Sequence, residues 1–302
     1  MNKITFNMKI KILYIRQIFV LILLIICCRQ NAISQGTDIS LISNPSLFVG
    51  LSLGPSQSYI KNDVSTSVPD LVSDKKGSFL GFIDIGYFFS NYFGLSSGIG
   101  FISDKTELSL NSYQNQNKYT TTDSESESYE SRVTGSGIKE LQKVGFLSLP
   151  FCINLRLPVS EKAGFFLQTG INLTVPLTKN YSSTGKFTYK GYYPAYNVVL
   201  ENLPVYGFPS DKNNTTDGNL ELKQLVFNFT AAGGYDFFIQ EKLQIGAAIC
   251  FDKSLSDISN YSSIDKFQLS TNVNQINSLM GGSSKTTVQS LSLKISLRYY
   301  LK

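Results

Sequence analysis

The sequence predicts an all-β fold, an eight-stranded antiparallel up-and-down transmembrane β-barrel. Three observations predict it. Long stretches alternate apolar with small or polar residues, the connections alternate between tight and long, and aromatic residues gather at the tight-turn ends. Alternation at period two places successive side chains on opposite faces of a strand. A barrel that crosses a bilayer needs about 9–11 such residues per strand.

Eight stretches carry the pattern. The first, near 46–56, sets Leu47, Val49, Leu51 and Leu53 on one face against Ser52 and Gly54. The second (78–89) opposes Phe79, Ile83, Ile85 and Tyr87 to Asp84 and Gly86, and the third (93–110) opposes Leu95, Ile99 and Phe101 to glycines and Ser96. The fourth (140–157) runs Leu147 to Leu157 against Ser148, Asn154 and Arg156, and the fifth (164–178) runs Phe165 to Val175 against Gln168, Asn172 and Thr174. The sixth (222–238), seventh (243–254) and eighth (286–302) put Asp236, Asp252, Lys294 and Arg298 opposite rows of Leu, Ile, Phe and Tyr.

Strands two and three, four and five, and six and seven meet in tight turns; the other links, about 57–77, 111–138, 179–221 and 255–285, are long and polar. Short turns at one end and long loops at the other is the layout of outer-membrane barrels, with the chain ends on the periplasmic side. Tyr87, Phe88, Phe89, Tyr92, Phe93, Phe165, Phe166, Tyr235, Phe237, Phe238, Tyr299 and Tyr300 lie at the short-turn ends and read as an interfacial belt.

A soluble lipocalin-like barrel also alternates, with its apolar face inward. Strand length, turn asymmetry and a polar face rich in Gly and Ser but poor in charge favour the membrane instead, because a solvated wall normally carries many Lys and Glu. A sheet in a bilayer must close, and eight strands leave a lumen just wide enough for side chains. By parity Asp84, Arg156, Asp236, Asp252, Lys294 and Arg298 point into it and are expected to form a polar network that plugs the barrel.

Residues 1–34 read as a signal peptide. Lys3, Lys9, Lys11 and Arg16 precede an apolar block from Ile18 to Cys28, and Ala32-Ile33-Ser34 supplies small residues for cleavage before Gln35. The block is short for a membrane anchor, and Ile26 stands where a lipobox at Cys27 would need a small residue. The barrel domain is then 35–302. Five of the 27 basic residues and none of the 22 acidic ones fall in the signal, so the remainder is neutral and gives no argument for nucleic-acid binding. Mean hydropathy is −0.02, which excludes a bundle of spanning helices.

Chemistry is sparse. With no histidine there is no Ser-His-Asp triad, imidazole relay or histidine metal site. Gly281–Thr286 has Ser284 where a phosphate loop needs glycine. Asp123, Glu125, Glu127 and Glu130 lack EF-hand spacing and read as a solvated loop. Cys152 and Cys250 face the lumen on strands that are not neighbours, so they are expected as free buried thiols. Phe187, Tyr189, Tyr192, Tyr193, Tyr196, Tyr206 and Phe208 in the third long loop form either a contact surface or a loop that packs on itself. No catalytic residue, cofactor or metal ligand is expected.

The stretch Phe146–Leu177 carries Leu147-Ser148-Leu149-Pro150, a turn, and then Phe165-Phe166-Leu167-Gln168-Thr169-Gly170; the last strand ends Leu297-Arg298-Tyr299-Tyr300. In these features the chain resembles the PorT-like outer-membrane β-barrel family of Bacteroidetes. The resemblance implies an outer-membrane barrel, no catalytic residue, and an envelope or secretion protein as partner beside outer-membrane lipid. The expectation is therefore a non-enzymatic barrel in the cell outer membrane, with a small transporter or pore and a soluble periplasmic lipid-binding barrel as alternatives.

Overall fold

The computed structural model describes residues 46–115, 119–261 and 267–301. The signal peptide expected over 1–34 lies outside them. Eleven strands form among the described residues: β1 (Ser46–Asn62), β2 (Val72–Phe88), β3 (Phe93–Gln114), β4 (Tyr119–Thr122), β5 (Ser128–Pro158), β6 (Ala163–Tyr193), β7 (Val198–Glu201), β8 (Lys212–Asn219), β9 (Val226–Gln240), β10 (Leu243–Ser254) and β11 (Thr286–Leu301). Eight of them close a ring in the order β1-β2-β3-β5-β6-β9-β10-β11, every pair antiparallel, with β11 returning to β1 from Leu47↔Leu301 to Asn62↔Thr286. Closure leaves no unpaired edge in hydrocarbon.

The tight turns end in the expected places. Ser90 organises the β2–β3 turn, its hydroxyl accepting from the amides of Tyr92 and Phe93. On the outer wall beside these turns the odd-numbered side chains are exposed: Leu51, Ile83, Leu95, Phe151, Phe165, Ile249 and Ile295 all present 50% or more of their surface, or close to it. In water such a surface would be an aggregation site; against acyl chains it is solvated. The soluble lipid-binding barrel, which requires this face to be polar, is thereby corrected.

Above this band the polarity of both faces inverts. On β3 the outward row passes from Phe93, Leu95, Ile99 and Phe101 to Ser103, Lys105 and Glu107, while the inward row passes from Gly94, Ser96 and Gly98 to Ile102, Leu108 and Leu110. The inward apolar residues of several strands meet. Ile60, Leu80, Ile102, Val144, Phe146, Val226 and Val288 form one cluster. Leu108, Leu110, Tyr113, Val133, Ile138, Phe187 and Tyr189 form another, farther out. The barrel therefore continues beyond the membrane as a water-facing lobe with an ordinary hydrophobic core.

This lobe corrects the expected long loops. Most of 57–77 and 111–138 is strand, β6 runs on to Tyr193, and β4, β7 and β8 add to the sheet by pairing with β5 or β6. The cause is the same period-two alternation with its faces exchanged, which hydropathy averaging hides. The inside-out switch needs local adjustment. Register shifts fall between Ser136 and Lys139, where Gly137 takes φ of 58°, and between Gly145 and Phe146. A bulge of this kind moves a strand's side chains by one position and so re-aims its apolar set.

Candidate functional site

The candidate site is the lumen and what closes it. At the periplasmic end Phe48, Phe88, Phe238 and Tyr300 point inward and pack with ring centroids 5.4–6.4 Å apart. Space for them comes from small neighbours: a Cβ at Gly86 would lie 2.3 Å from the Phe48 ring. This corrects the belt inferred for those rings. Phe88, Phe166, Phe238 and Tyr300 are at most 5% exposed and face the interior, whereas Tyr87, Phe89, Tyr92, Phe93, Phe165, Tyr235, Phe237 and Tyr299 remain on the outer wall. Adjacent residues on a strand face opposite ways, so an aromatic pair such as Tyr299-Tyr300 serves the wall with one ring and the floor with the other.

Directly above this floor lies the one ion pair among the six lumen charges. Arg156 and Asp236 are 2% and 1% exposed, and the guanidinium grips the carboxylate through Nη2–Oδ1 at 2.9 Å, Nε–Oδ1 at 3.1 Å and Nε–Oδ2 at 3.2 Å. The forked geometry suits a planar carboxylate. Arg298 has no carboxylate bond; its guanidinium sits 5.1 Å from the centroids of both Phe48 and Phe166. Such stacking holds a cation against the negative faces of aromatic rings. Asp84 accepts from Ser52 Oγ at 3.3 Å, Lys294 Nζ donates to Gln168 Oε1 at 3.2 Å, and Thr230 and Asn172 are the hydrogen-bonding neighbours of Asp252. The six charges thus occupy successive layers; apart from the Arg156–Asp236 pair they are met by hydroxyls, amides or rings, and they do not join in one chain of ion pairs. Cys152 and Cys250 are free and buried in the same interior. A cavity of about 40 Å³ among Asp84, Asp252, Lys294 and the two cysteines has room for only a few water molecules.

The outer mouth is filled by the fourth connection. Residues 255–261 and 267–285 fold inward: Ile258, Leu269, Ile276, Leu279 and Met280 are essentially inaccessible and join the two apolar clusters. The segment is fastened by Glu140 on β5, a residue that parity reasoning about the membrane band passes over. Its buried carboxylate accepts from Gln142 Nε2 (2.7 Å), Ser183 Oγ (2.7 Å), Ser278 Oγ (2.7 Å) and the Leu279 amide (2.8 Å). Burial pushes the carboxyl above its usual range against these bonds, which pull it down. Ser278 also caps the 3₁₀ turn Leu279–Gly282 by accepting from the Met280 amide. The lipid-side sequence signal gives no hint of Glu140. A charged residue at an inward position within an apolar-inward stretch, Ile138-x-Glu140-x-Gln142-x-Val144, is the signal that finds it.

The aromatic third loop divides. Phe187, Tyr189, Tyr193 and Phe208 are buried in the lobe, while Tyr196 and Tyr206 are 61% and 73% exposed. Asp123 caps its turn by accepting from the amides of Glu125 and Glu127, and these bonds, chiefly that from Glu127, hold its carboxyl below the usual range. It also accepts from Tyr193 Oη at 3.0 Å. Among the described residues no group of three His, Cys, Asp or Glu side chains gathers as a metal site.

Compared with known proteins, residues 37–260 match the family model of the outer membrane protein β-barrel domain. No curated protein matches the chain. Among solved structures it is similar to the outer membrane protein OprG from Pseudomonas aeruginosa, at 11% identity over 85% of this chain and 96% of that one, with a TM-score of 0.39. Neisserial surface protein A shares 8% identity over 84% of this chain and 96% of its own, with a TM-score of 0.36. For Ail, the attachment invasion locus protein of Yersinia pestis, the figures are 12%, 83%, 98% and 0.30.

Proposed function

This chain belongs to the outer membrane protein β-barrel domain family and resides in the outer membrane, and from that premise we propose that it is a sealed, non-enzymatic barrel that works through its extracellular lobe. The observation that carries the reading is closure at both ends, by the Phe48-Phe88-Phe238-Tyr300 floor and by the plug that Glu140 fastens at Ser278 and Leu279. An eight-stranded lumen filled in this way has no aqueous path, and any solute would have to displace packed rings. The absence of histidine from the sequence supports a non-catalytic role. What remains to act is the lobe that stands clear of the membrane, with Tyr196, Val205 and Tyr206 at its exposed tip. Large exposed apolar and aromatic side chains in water suit a protein contact. The PorT-like resemblance makes an envelope or secretion component the partner of choice.

Planar-bilayer recording of the refolded chain tests the sealed lumen. No unitary conductance is expected from the wild type or from Phe48→Ala, in which the plug still closes the other end, whereas Phe48→Ala combined with Glu140→Ala should conduct. Steady channels from the wild type would overturn the proposal in favour of a pore.

A further inference from the structure

A fourth inward carboxylate stands where the polar interior gives way to the apolar core of the lobe, and among the described residues no cation pairs with it. Asp104 on β3 is 1% exposed; its Oδ1 accepts from Ser58 Oγ at 2.6 Å, while its Oδ2 has no hydrogen-bond partner. Asn228 on β9 is 7% exposed and shows the same half-satisfaction. Its Nδ2 donates to Thr174 Oγ1 at 3.0 Å, and its Oδ1 has no partner. Both residues line one cavity of about 10 Å³, together with Asp252, Thr174 and Ser290, inside a collar of Ile102, Phe146, Val226 and Val288; Lys253 also borders it, but is exposed and pairs in the ladder with the outward Phe229. That volume holds one water-sized species.

Orphaned buried acceptors are rare in folded proteins, and as oriented Asp104 Oδ2 and Asn228 Oδ1 face one cavity as two acceptors that no donor reaches. Charge points the same way. From the floor up to this level the lumen holds Asp84, Asp104, Asp236 and Asp252 against Arg156, Lys294 and Arg298. Asp236 is paired with Arg156, and Lys294 is the cation that acts on Asp252. The charged group that acts on Asp104 is Asp252, of the same sign. A buried carboxylate facing a like charge calls for a positive counterpart, either a bound cation or a shared proton. The available ligands are all oxygens: two carboxylates, an amide carbonyl and two hydroxyls. Such a set suits a hard cation and gives nothing to a soft one.

We propose that the barrel binds a single hard cation of the calcium class between Asp104, Asn228 and Asp252, with Thr174 and Ser290 completing its oxygen shell. The ion ties β3, β6, β9, β10 and β11 together across the lumen, where the polar membrane-level interior gives way to the apolar core of the lobe. Only two carboxylates contribute, so the affinity falls in the range of weak extracellular calcium sites, roughly 10⁻⁴–10⁻³ M. The inference stands independently of whether the barrel conducts.

Equilibrium dialysis with radioactive calcium on the full chain, refolded in detergent and stripped with EDTA, tests it. One calcium per chain is expected at millimolar concentration. Asp104→Asn, which keeps the side-chain shape, should weaken binding at least tenfold, and Asn228→Ala should do likewise. Calcium should raise the midpoint of heat-modifiable gel migration of the wild type and leave that of Asp104→Asn unmoved, while Asp123→Asn in the extracellular turn still binds as the wild type. Three results would overturn the site: no bound calcium with a midpoint indifferent to EDTA, undiminished binding by Asp104→Asn, or binding lost in Asp123→Asn instead. The first is what a rotated Asn228 amide donating to Asp104 would produce.

Discussion

Removing one member of the Arg156–Asp236 pair should cost more than removing both. Each side chain is at most 2% exposed, and three contacts of 2.9–3.2 Å join them. Arg156→Met strands a carboxylate that is 1% exposed, and Asp236→Leu strands a guanidinium left against the Phe238 ring at 5.0 Å. Breaking a buried pair from one side typically costs about 3–5 kcal/mol, whereas replacing the pair by apolar residues of like volume is near neutral. Asp236 lies opposite Gly164 and Gly246 in the ladder, so a leucine there meets little steric resistance. The double variant should therefore lie within about 2 kcal/mol of the wild type, for a coupling energy of at least about 4 kcal/mol. With a urea dependence of about 2–3 kcal/mol per molar, each single variant moves the unfolding midpoint down by roughly 1–2 M. The chain has no tryptophan, so the transition in lipid vesicles is best followed by circular dichroism and by gel migration without boiling. Single variants that shift the midpoint by a few tenths molar, or a double variant as weak as the sum of the two, would refute the claim that this layer is dry and mutually dependent.

Glu140→Gln replaces one of two oxygens that each accept two bonds from the plug and its supports. At about 1.5 kcal/mol for each of two lost charge-assisted bonds, the Leu279 and Met280 amides should exchange hydrogen roughly 100-fold faster; unchanged exchange would show that apolar packing alone holds the segment. Ile295 is the centre of the outward row Leu291–Tyr299 and is 61% exposed to lipid. Ile295→Arg should impair assembly into vesicles by about 2–4 kcal/mol, and Lys294→Met, which loses one bond to Gln168 beside a cavity that admits water, by about 1–2 kcal/mol. The reverse order would mean the faces are assigned the wrong way round. Burial and the hydrogen bond to Asp123 push the Tyr193 phenol up to about 12. A phenol whose folded pKa lies above its unfolded value of about 10 gives stability that is complete below pH 10 and fades as pH rises through 12. Ultraviolet titration should find a late-ionising tyrosine that moves towards 10 in Asp123→Asn.

The amino-acid sequence by itself determines the eight crossing strands, their order and the face each side chain takes in the membrane. Leu47 and Ser52, or Ile295 and Lys294, differ in position parity, and a bilayer converts parity into inside and outside with no further information. The six lumen charges were legible for the same reason, and so were two cysteines on the inner face. What each charge bonds was not. Arg156 finds Asp236 while Arg298 finds two rings, a choice set by which strands lie across an 8-stranded circle. The inner floor was hidden because an aromatic residue beside a turn fits wall and floor equally well, and only its parity, read against the closed ring, separates Tyr299 from Tyr300. Tertiary structure alone decided the lobe and its plug. Glu140 and Ser278 are 138 residues apart, and Ile258, Leu269, Ile276, Leu279 and Met280 follow no strand period because they fold onto a surface supplied by strands distant in sequence. A periodic pattern records a strand's own two faces; it does not record what those faces enclose.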